Sequence, residues 1–139
     1  MEDYPLEGVK IWHHDKSIIL TNKVGKGSVI HAFVWIGKNV IIGKNCKIQA
    51  FAFIPDGCVL EDGVFLGPGV KLTNDPNPPS DKWKNTYIYR NASLGAGVIV
   101  VPGVTIGEGA LIGAGSVVTK SVPDNQVWVG NPAKYLRDK

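Results

Sequence analysis

The sequence has little of what identifies secreted, membrane or nucleic-acid-binding proteins. Two cysteines in 139 residues are too few for a disulfide scaffold. There is no run of about 18 apolar residues, so we expect no transmembrane helix. The first six residues include acidic Glu2 and Asp3 in place of a basic segment followed by an apolar one. We therefore expect no secretory signal and a cytoplasmic protein.

Charge is also sparse. Charged residues make up 19% of the chain, and the formal net charge is +3. Lys26, Lys38 and Lys44 are not interleaved with aromatic residues as in a nucleic-acid-binding stripe, so we expect no nucleic-acid partner. A hydrophobic content of 44% is ordinary for a globular chain, and the length fits a single domain.

What the sequence does contain is a repeat of six residues. An aliphatic residue, here called an anchor, returns at every sixth position in two runs separated by one interruption. A small or β-branched residue stands four positions after nearly every anchor, as at Ser28, Cys46 and Ala92. The anchors are Val24, Ile30, Ile36, Ile42, Ile48, Ile54, Leu60, Leu66 and Leu72, then Ile88, Leu94, Val100, Ile106, Ile112 and Val118.

This period predicts a solenoid of short strands. The 17 glycines and 9 prolines would break long helices, whereas short strands joined by glycine-rich corners tolerate them. Each hexad would form one strand and one corner, and three hexads would form one coil of a three-sided prism. Successive coils would pair as parallel strands about 4.8 Å apart, with the anchors stacked inside. Cys46 and Cys58 fall on the small inward positions, where we expect inert core thiols.

The interruption lies between Leu72 and Ile88. This step is sixteen residues long where six would continue the repeat, so ten residues are extra. The inserted loop, residues 73–87, contains three prolines and many polar turn residues. A long loop in an otherwise strict solenoid favours a functional role.

One side of the prism is unusually apolar. Residues beside the anchors Ile36, Ile54, Leu72, Val100 and Val118 would point outward from a single face. These outward residues are Trp35, Phe53, Ile99, Val101 and Val117. This much exposed apolar surface predicts contact with another subunit, and closed symmetry with a three-sided prism suggests a homotrimer. The inserted loop would leave the corner of the same face.

The hexad resembles the left-handed parallel β-helix of the hexapeptide-repeat acyltransferases, over roughly residues 10 to 139. The resemblance implies an all-β, left-handed solenoid that forms a single domain, 1–139. Within it we expect an N-terminal cap at 1–23, coils at 24–72 and 88–122, and a C-terminal cap at 123–139. We expect that cap to include a short helix from Ala133.

The segment from Ile106 to Arg137 looks like the last coil and tail of acetyl-CoA-dependent members of this family. The resemblance implies that acetyl-CoA is the cosubstrate and that its arm lies in a groove between subunits. It assigns main-chain contacts to Ala96 and Ala114. Residues near the adenine and phosphates would be Thr119, Lys120, Lys134 and Arg137. The alternative is that these cations are ordinary surface residues.

Three further segments resemble the branch that N-acetylates nucleotide-linked amino sugars: KIQ at 47–49, LEDGVFLGP at 60–68 and LTNDPNP at 72–78. In that branch the Asn of the TN pair meets the sugar amine. Asn74 is therefore the candidate that orients the nucleophile, and Asp75 could hold or accept the ammonium proton. Ala50 and Pro79 depart from the branch, which commonly reads KIQNN and NPRS. For Asn74 and Asp75 a turn-capping role is the alternative.

No histidine occurs in the inserted loop, and within the repeat only His31 is present. An alcohol acceptor needs a general base, whereas a neutral amine is already a nucleophile, so we expect N-acetylation. O-acetylation and a non-catalytic trimeric binding module remain alternatives. A γ-type carbonic anhydrase, which needs three histidines on zinc, fits least, and we expect no metal.

Overall fold

The computed structural model describes residues 6–139. They form eighteen short β-strands and one 3-10 turn at His14–Lys16, and none of these elements is a helix long and apolar enough to cross a membrane. The strands are β1 (Lys10–Ile11), β2 (Ile18–Ile19), β3 (Val29–Ile30), β4 (Trp35–Ile36), β5 (Ile41–Ile42), β6 (Lys47–Ile48), β7 (Phe53–Ile54), β8 (Val59–Leu60), β9 (Phe65–Leu66), β10 (Lys71–Leu72), β11 (Tyr87–Ile88), β12 (Ser93–Leu94), β13 (Ile99–Val100), β14 (Thr105–Ile106), β15 (Leu111–Ile112), β16 (Val117–Val118), β17 (Gln126–Gly130) and β18 (Ala133–Asp138).

The strands form three sheets, one for each side of a prism. The eight-stranded sheet runs β1-β3-β6-β9-β12-β15-β17-β18, the six-stranded sheet runs β16-β13-β10-β7-β4-β2, and the four-stranded sheet runs β14-β11-β8-β5. Away from the loop, parallel partners such as Ile36 and Ile54 are separated by 18 residues. The fold class is confirmed: a parallel β-solenoid of about seven turns, consistent with a left-handed β-helix.

The core is the column of anchors. Every anchor after Val24 is buried, and so is the residue four positions after each anchor except Leu72, which the loop follows. Cys46 and Cys58 are among these buried residues and are free thiols. Burial raises the pKa of Cys46, and it raises the pKa of Cys58 to about 11. Both thiols therefore stay protonated and unreactive near neutral pH, in agreement with the expected core role.

The insertion leaves the coil register intact. Leu72 of β10 pairs with Val100 of β13, 28 residues later, because the coil between them contains the loop. On the next side Ile88 pairs with Leu60, as the repeat requires. The loop thus leaves the corner that joins the six-stranded sheet to the four-stranded sheet.

The six-stranded sheet has the apolar outer surface that the sequence predicts. Trp35, Phe53 and Ile99 are each more than a third exposed on its outside. Ile18 of β2 extends this row, and Lys71 of β10 interrupts it. Val101 differs from expectation, because it lies just after β13 and packs partly against the core.

The two ends of the solenoid differ from the expected caps. Strands β1 and β2 pair in parallel with β3 and β4, so strand pairing begins well before Val24. The expected helix from Ala133 is wrong, because Ala133–Asp138 forms β18, antiparallel to β17. The edge of β17 would otherwise expose unpaired backbone groups, and pairing with β18 satisfies them. Ala133 itself is buried against the core.

Three positions after thirteen of the fifteen anchors, the corner residue is in the left-handed conformation. Eleven of the thirteen in phase with the hexad are Gly or Asn, which adopt this conformation readily, and the exceptions are Phe33 and Phe51. The set is Gly27, Phe33, Asn39, Asn45, Phe51, Gly57, Gly63, Gly69, Asn91, Gly97, Gly103, Gly109 and Gly115.

Phe33 and Phe51 lie in adjacent coils at the corner that joins the eight-stranded sheet to the six-stranded sheet. Their rings stack with centroids 5.4 Å apart and planes 5° apart, and the two residues are 54% and 62% exposed. A left-handed non-glycine residue costs roughly 1–3 kcal/mol. One aromatic pair returns roughly 0.5–1.5 kcal/mol. The stacking interaction by itself therefore does not offset the backbone cost of two such residues.

The stacked core gives a first prediction. Leu66→Ala removes a fully buried anchor, and we expect the free energy of unfolding in urea to fall by about 2–5 kcal/mol because a cavity is left. Lys47→Ala is the matched control, since Lys47 lies on the outside of β6, beside β9. A change below about 1 kcal/mol for Leu66→Ala would contradict the stacked-anchor core.

Candidate active site

The inserted loop is held together by the carboxylate of Asp75. One oxygen, Oδ2, accepts a hydrogen bond from the backbone N–H of Ser80 at 2.7 Å. The other, Oδ1, accepts from the Ser80 hydroxyl at 2.7 Å and from the backbone N–H of Asn77 at 3.1 Å. These contacts make Asp75 the organiser of the turn, the alternative that the residue type allowed from the start.

These bonds also affect the charge on Asp75. The hydrogen bond from the Ser80 hydroxyl, helped by the two backbone N–H groups, lowers the pKa of Asp75 below its ordinary value. A carboxylate with a lowered pKa is a weaker base. A proton-accepting role for Asp75 remains a prediction, and its contacts favour the structural role.

The base of the loop is tied to the solenoid. The Thr73 hydroxyl donates to the Val100 carbonyl at 2.6 Å, and the Thr86 hydroxyl donates to the Thr73 carbonyl at 3.1 Å. The backbone N–H of Lys84 donates to the Asn74 carbonyl at 2.7 Å. The start of the loop is therefore fixed to the coil that follows the insertion, and the two ends of the loop are bonded to each other, which positions the side chains between them.

Asn74 lies at one edge of an aromatic cleft. Its Nδ2 donates to the Asp56 carbonyl at 3.3 Å, a long bond that leaves the amide oxygen without a recorded partner among the described residues. The cleft has a volume of about 350 Å³ and is lined by Trp35, Phe53, Pro55, Asp56, Asn74 and Trp83. The loop thus brings an amide into a largely apolar cleft on the six-stranded sheet.

Trp83 forms the loop side of this cleft. The residue is 52% exposed, and its indole N–H donates to the Ser80 carbonyl at 2.8 Å. Because Ser80 is itself bonded to Asp75, the position of the indole depends on the Asp75 turn. Sequence reasoning missed Trp83; the only available signal was a large aromatic residue in an otherwise polar loop.

Ala96 and Ala114 lie at the corner that joins the eight-stranded sheet to the six-stranded sheet. They occupy adjacent coils, and the Ala96 carbonyl accepts a hydrogen bond from the backbone N–H of Gly115 at 2.8 Å. A Cβ atom built on Gly97 or Gly115 would meet nothing within 4 Å. An extended ligand could therefore approach the backbone of this corner closely.

Three of the four residues predicted near the adenine and phosphates lie together. Thr119, Lys120 and Lys134 line a cleft of about 260 Å³ beside the terminal hairpin, with Trp128, Pro132, Ala133 and Tyr135. Arg137 is not among the lining residues, and its guanidinium donates to the Asp138 carbonyl. Lys120 lies two coils above Asn74 on the same corner, which is about 10 Å along the prism.

The predicted residues therefore occupy two corners. Asn74, Thr119 and Lys120 follow the six-stranded sheet, whereas Ala96 and Ala114 precede it. His31 precedes it too, near Trp12, with ring centroids 6.3 Å apart. Within residues 6–139, no three His, Cys, Asp or Glu side chains are grouped so that they could hold a metal ion.

Comparison with known proteins agrees with the repeat. The family described as bacterial transferase hexapeptide (six repeats) matches residues 39–74 and 85–120. The galactoside O-acetyltransferase of Lactococcus lactis is 40% identical over 111 residues, which cover 73% of this chain and 54% of that protein. The chain spans about half the length of such relatives.

Solved structures are similar as well. A GDP-perosamine N-acetyltransferase variant from Caulobacter crescentus, in complex with CoA and GDP-perosamine, is 29% identical with a TM-score of 0.74. The match covers 94% of this chain and 54% of that one. The acetyltransferase domain of PglB from Neisseria gonorrhoeae, in complex with acetyl-CoA, is 26% identical with a TM-score of 0.72, covering 93% and 55%.

The loop geometry gives a second prediction. Asp75→Ala should speed hydrogen exchange at the Ser80 and Asn77 amides while leaving the thermal midpoint of the solenoid nearly unchanged, whereas Asp75→Asn should retain part of the protection. Because the folded pKa is lowered, wild-type protection should persist at neutral pH and be lost only as the pH falls through that lowered pKa. Equal exchange in wild type and Asp75→Ala would remove Asp75 as the organiser.

Proposed function

The chain belongs to the bacterial hexapeptide transferase family, and on that premise we propose that it transfers an acetyl group from acetyl-CoA to the amine of a nucleotide-linked amino sugar. The observation that carries this proposal is the position of the Asn74 amide in a cleft walled by Trp35, Phe53 and Trp83. Aromatic rings suit the apolar face of a sugar, and the amide oxygen can accept a hydrogen bond from an amine.

In the proposed reaction, the neutral amine attacks the thioester carbonyl, the C–S bond breaks, and the amine proton ends on the departing thiolate directly or through water. Asn74 orients the amine, and backbone N–H groups at a corner stabilise the oxyanion. Among the described residues, no histidine lies in the loop or lines the Asn74 cleft. The absence of a histidine base is part of the proposal.

Acetyl-CoA would lie along the corner of Ala96 and Ala114, with its phosphates near Lys120 and Lys134. Support comes from the open space at this corner and from the shared cleft of the two lysines. Cations beside a polyanionic ligand form charge-assisted hydrogen bonds. Arg137 would contribute only if its side chain left the Asp138 carbonyl.

We also propose that the active form is a homotrimer joined through the face of Trp35, Phe53 and Ile99. The exposed apolar row on the six-stranded sheet supports this assembly. Such packing would set the corner of Ala96 and Ala114 in one copy beside the inserted loop of another, which would unite the two groups of candidate residues. A cytoplasmic location is proposed on the basis of the sequence alone.

O-acetylation of a sugar is the second candidate. It is favoured by the 40% identity to the galactoside O-acetyltransferase. A thiol-release assay with acetyl-CoA separates the two candidates when it compares amino sugars, nucleotide-linked amino sugars and the matching hydroxyl sugars. Activity on hydroxyl sugars alone would overturn the N-acetyltransferase proposal, and no activity on any of them would favour a binding module.

Asn74→Ala should lower kcat/KM for the amino-sugar acceptor by about 1–3 kcal/mol of transition-state stabilisation, the penalty for an unmet buried hydrogen bond. Steady-state thiol release measures this effect. Asn77→Ala is the matched control, because Asn77 lies in the same loop and is exposed. Unchanged kinetics for Asn74→Ala would exclude Asn74 from the site.

Lys120→Ala and Lys134→Ala should each raise KM for acetyl-CoA by up to about fivefold, as expected for exposed charge pairs worth about 0.2–1 kcal/mol. The effect should shrink as salt is added, because the charges are screened. Lys38→Ala, an exposed lysine outside this cleft, is the control. If KM does not depend on salt or on either lysine, the phosphates bind elsewhere.

A further inference from the structure

Phe33 and Phe51 form a ladder of two stacked rings, and the next coil has no aromatic side chain to continue it. The same corner carries Phe33, Phe51 and Gly69 in three successive coils, all in the left-handed conformation. One side of the Phe51 ring is covered by Phe33, whose plane is 5° from its own. On the opposite side the next step is Gly69, which has no side chain.

The space at Gly69 is open. A Cβ atom built on Gly69 would meet only the Lys71 ammonium, at 4.0 Å. The outer side of the Phe51 ring is therefore available to a flat group lying where a third aromatic side chain would otherwise continue the ladder. Such a group would rest on the ring of Phe51 and on the backbone of Gly69.

A cation stands beside this open step. Lys71 occupies an outward position of the six-stranded sheet, between Phe53 and Ile99. Its ammonium turns back to the corner and donates to the Gly69 carbonyl at 3.0 Å. One carbonyl satisfies one of its three donors, so the ammonium can also bind an anion. A ligand that fits both features needs a flat ring joined to a negative group.

We propose that the corner formed by Phe51, Gly69 and Lys71 binds a nucleoside phosphate, with the base stacked on Phe51 and a phosphate oxygen on the Lys71 ammonium. Stacking of a base on an aromatic side chain is favourable and tolerates different bases. The ligand accounts for two exposed phenylalanines at positions that elsewhere in the repeat are Gly or Asn. Phe33 acts as the support that holds the Phe51 ring flat.

This inference rests on the proposed function, which supplies two sources of a nucleoside phosphate. One is the nucleotide of the acceptor sugar, and the other is the adenosine phosphate of acetyl-CoA. We assign the acceptor's nucleotide, because the phosphates of acetyl-CoA are already proposed to lie near Lys120 and Lys134, in a separate cleft that neither Phe51 nor Lys71 lines.

The test measures binding by calorimetry with UDP, dTDP and CoA as separate probes. Phe51→Gly and Phe51→Leu should weaken UDP or dTDP binding about tenfold and leave CoA binding unchanged. Asn39→Gly is the matched control, since it changes a left-handed residue at another corner. Phe51→Leu keeps the bulk and the backbone strain but lacks the flat ring, so it serves if the glycine variant folds poorly. Lys71→Gln should weaken the same binding and reduce its salt dependence.

Three results would overturn the proposal. The first is that wild type and both Phe51 variants bind each probe equally well, and the second is that wild type binds none of the probes. The third is loss of the oligomer in Phe51→Leu, seen by sedimentation, which would make the pair a subunit contact. A loss confined to CoA would support the same stacking site with adenosine as its source.

The proposed function is tested separately. Thiol release with amino sugars that carry no nucleotide reports acetyl transfer without an acceptor base stacked on Phe51. If such transfer occurs while the Phe51 variants bind nucleotides normally, only the inference about this corner fails. If nucleotide binding depends on Phe51 but no amine is acetylated, the proposed nucleotide site is supported and the acetyltransferase proposal fails.

Discussion

The structure depends on the stacking of one anchor upon the next inside the prism. Nearly all strands of the solenoid are two residues long, too short to persist alone, so their hydrogen bonds form only when adjacent coils are already aligned. Alignment comes from aliphatic side chains that fill the interior from Ile19 to Ile112 without an interruption in burial. An anchor displaced from its place in the stack would become exposed and would shift the register of its whole coil.

That constraint also explains where function can be added. Residues inside the prism recur at fixed steps, so extra residues fit only at a corner and only if the chain returns in phase. The inserted loop meets this condition, because Ile88 pairs with Leu60 as if residues 73–82 were absent. Its own order comes from Asp75 and from Thr73, by polar contacts that leave the core unchanged. Loop chemistry can therefore vary while the solenoid stays the same.

The sequence was sufficient for whatever the period determines. The anchors, the inward cysteines, the apolar row of Trp35 and Phe53 and the register across the loop all follow from counting by six. The terminal hairpin did not, since a free strand edge is a tertiary feature that overrode the expected helix. The contacts of Asp75 and the position of Trp83 at the cleft could not be predicted from the sequence either, because loop geometry has no period. The left-handed step three residues after an anchor was visible as recurring Gly and Asn, yet nothing in the sequence showed that Phe33 and Phe51 stack.

The division of the candidate residues between two corners bears on how such a protein could work. In one chain, Asn74 and Lys120 lie on one side of the six-stranded sheet, and Ala96 and Ala114 lie on the other. That same sheet has the most apolar outer surface, with Lys71 as the one charged residue among its outward strand positions in the described chain. If a second copy covers the sheet, the apolar row is buried and the two corners become neighbours across the interface. The exposed surface and the divided site then have a single explanation, in which assembly completes the proposed cleft.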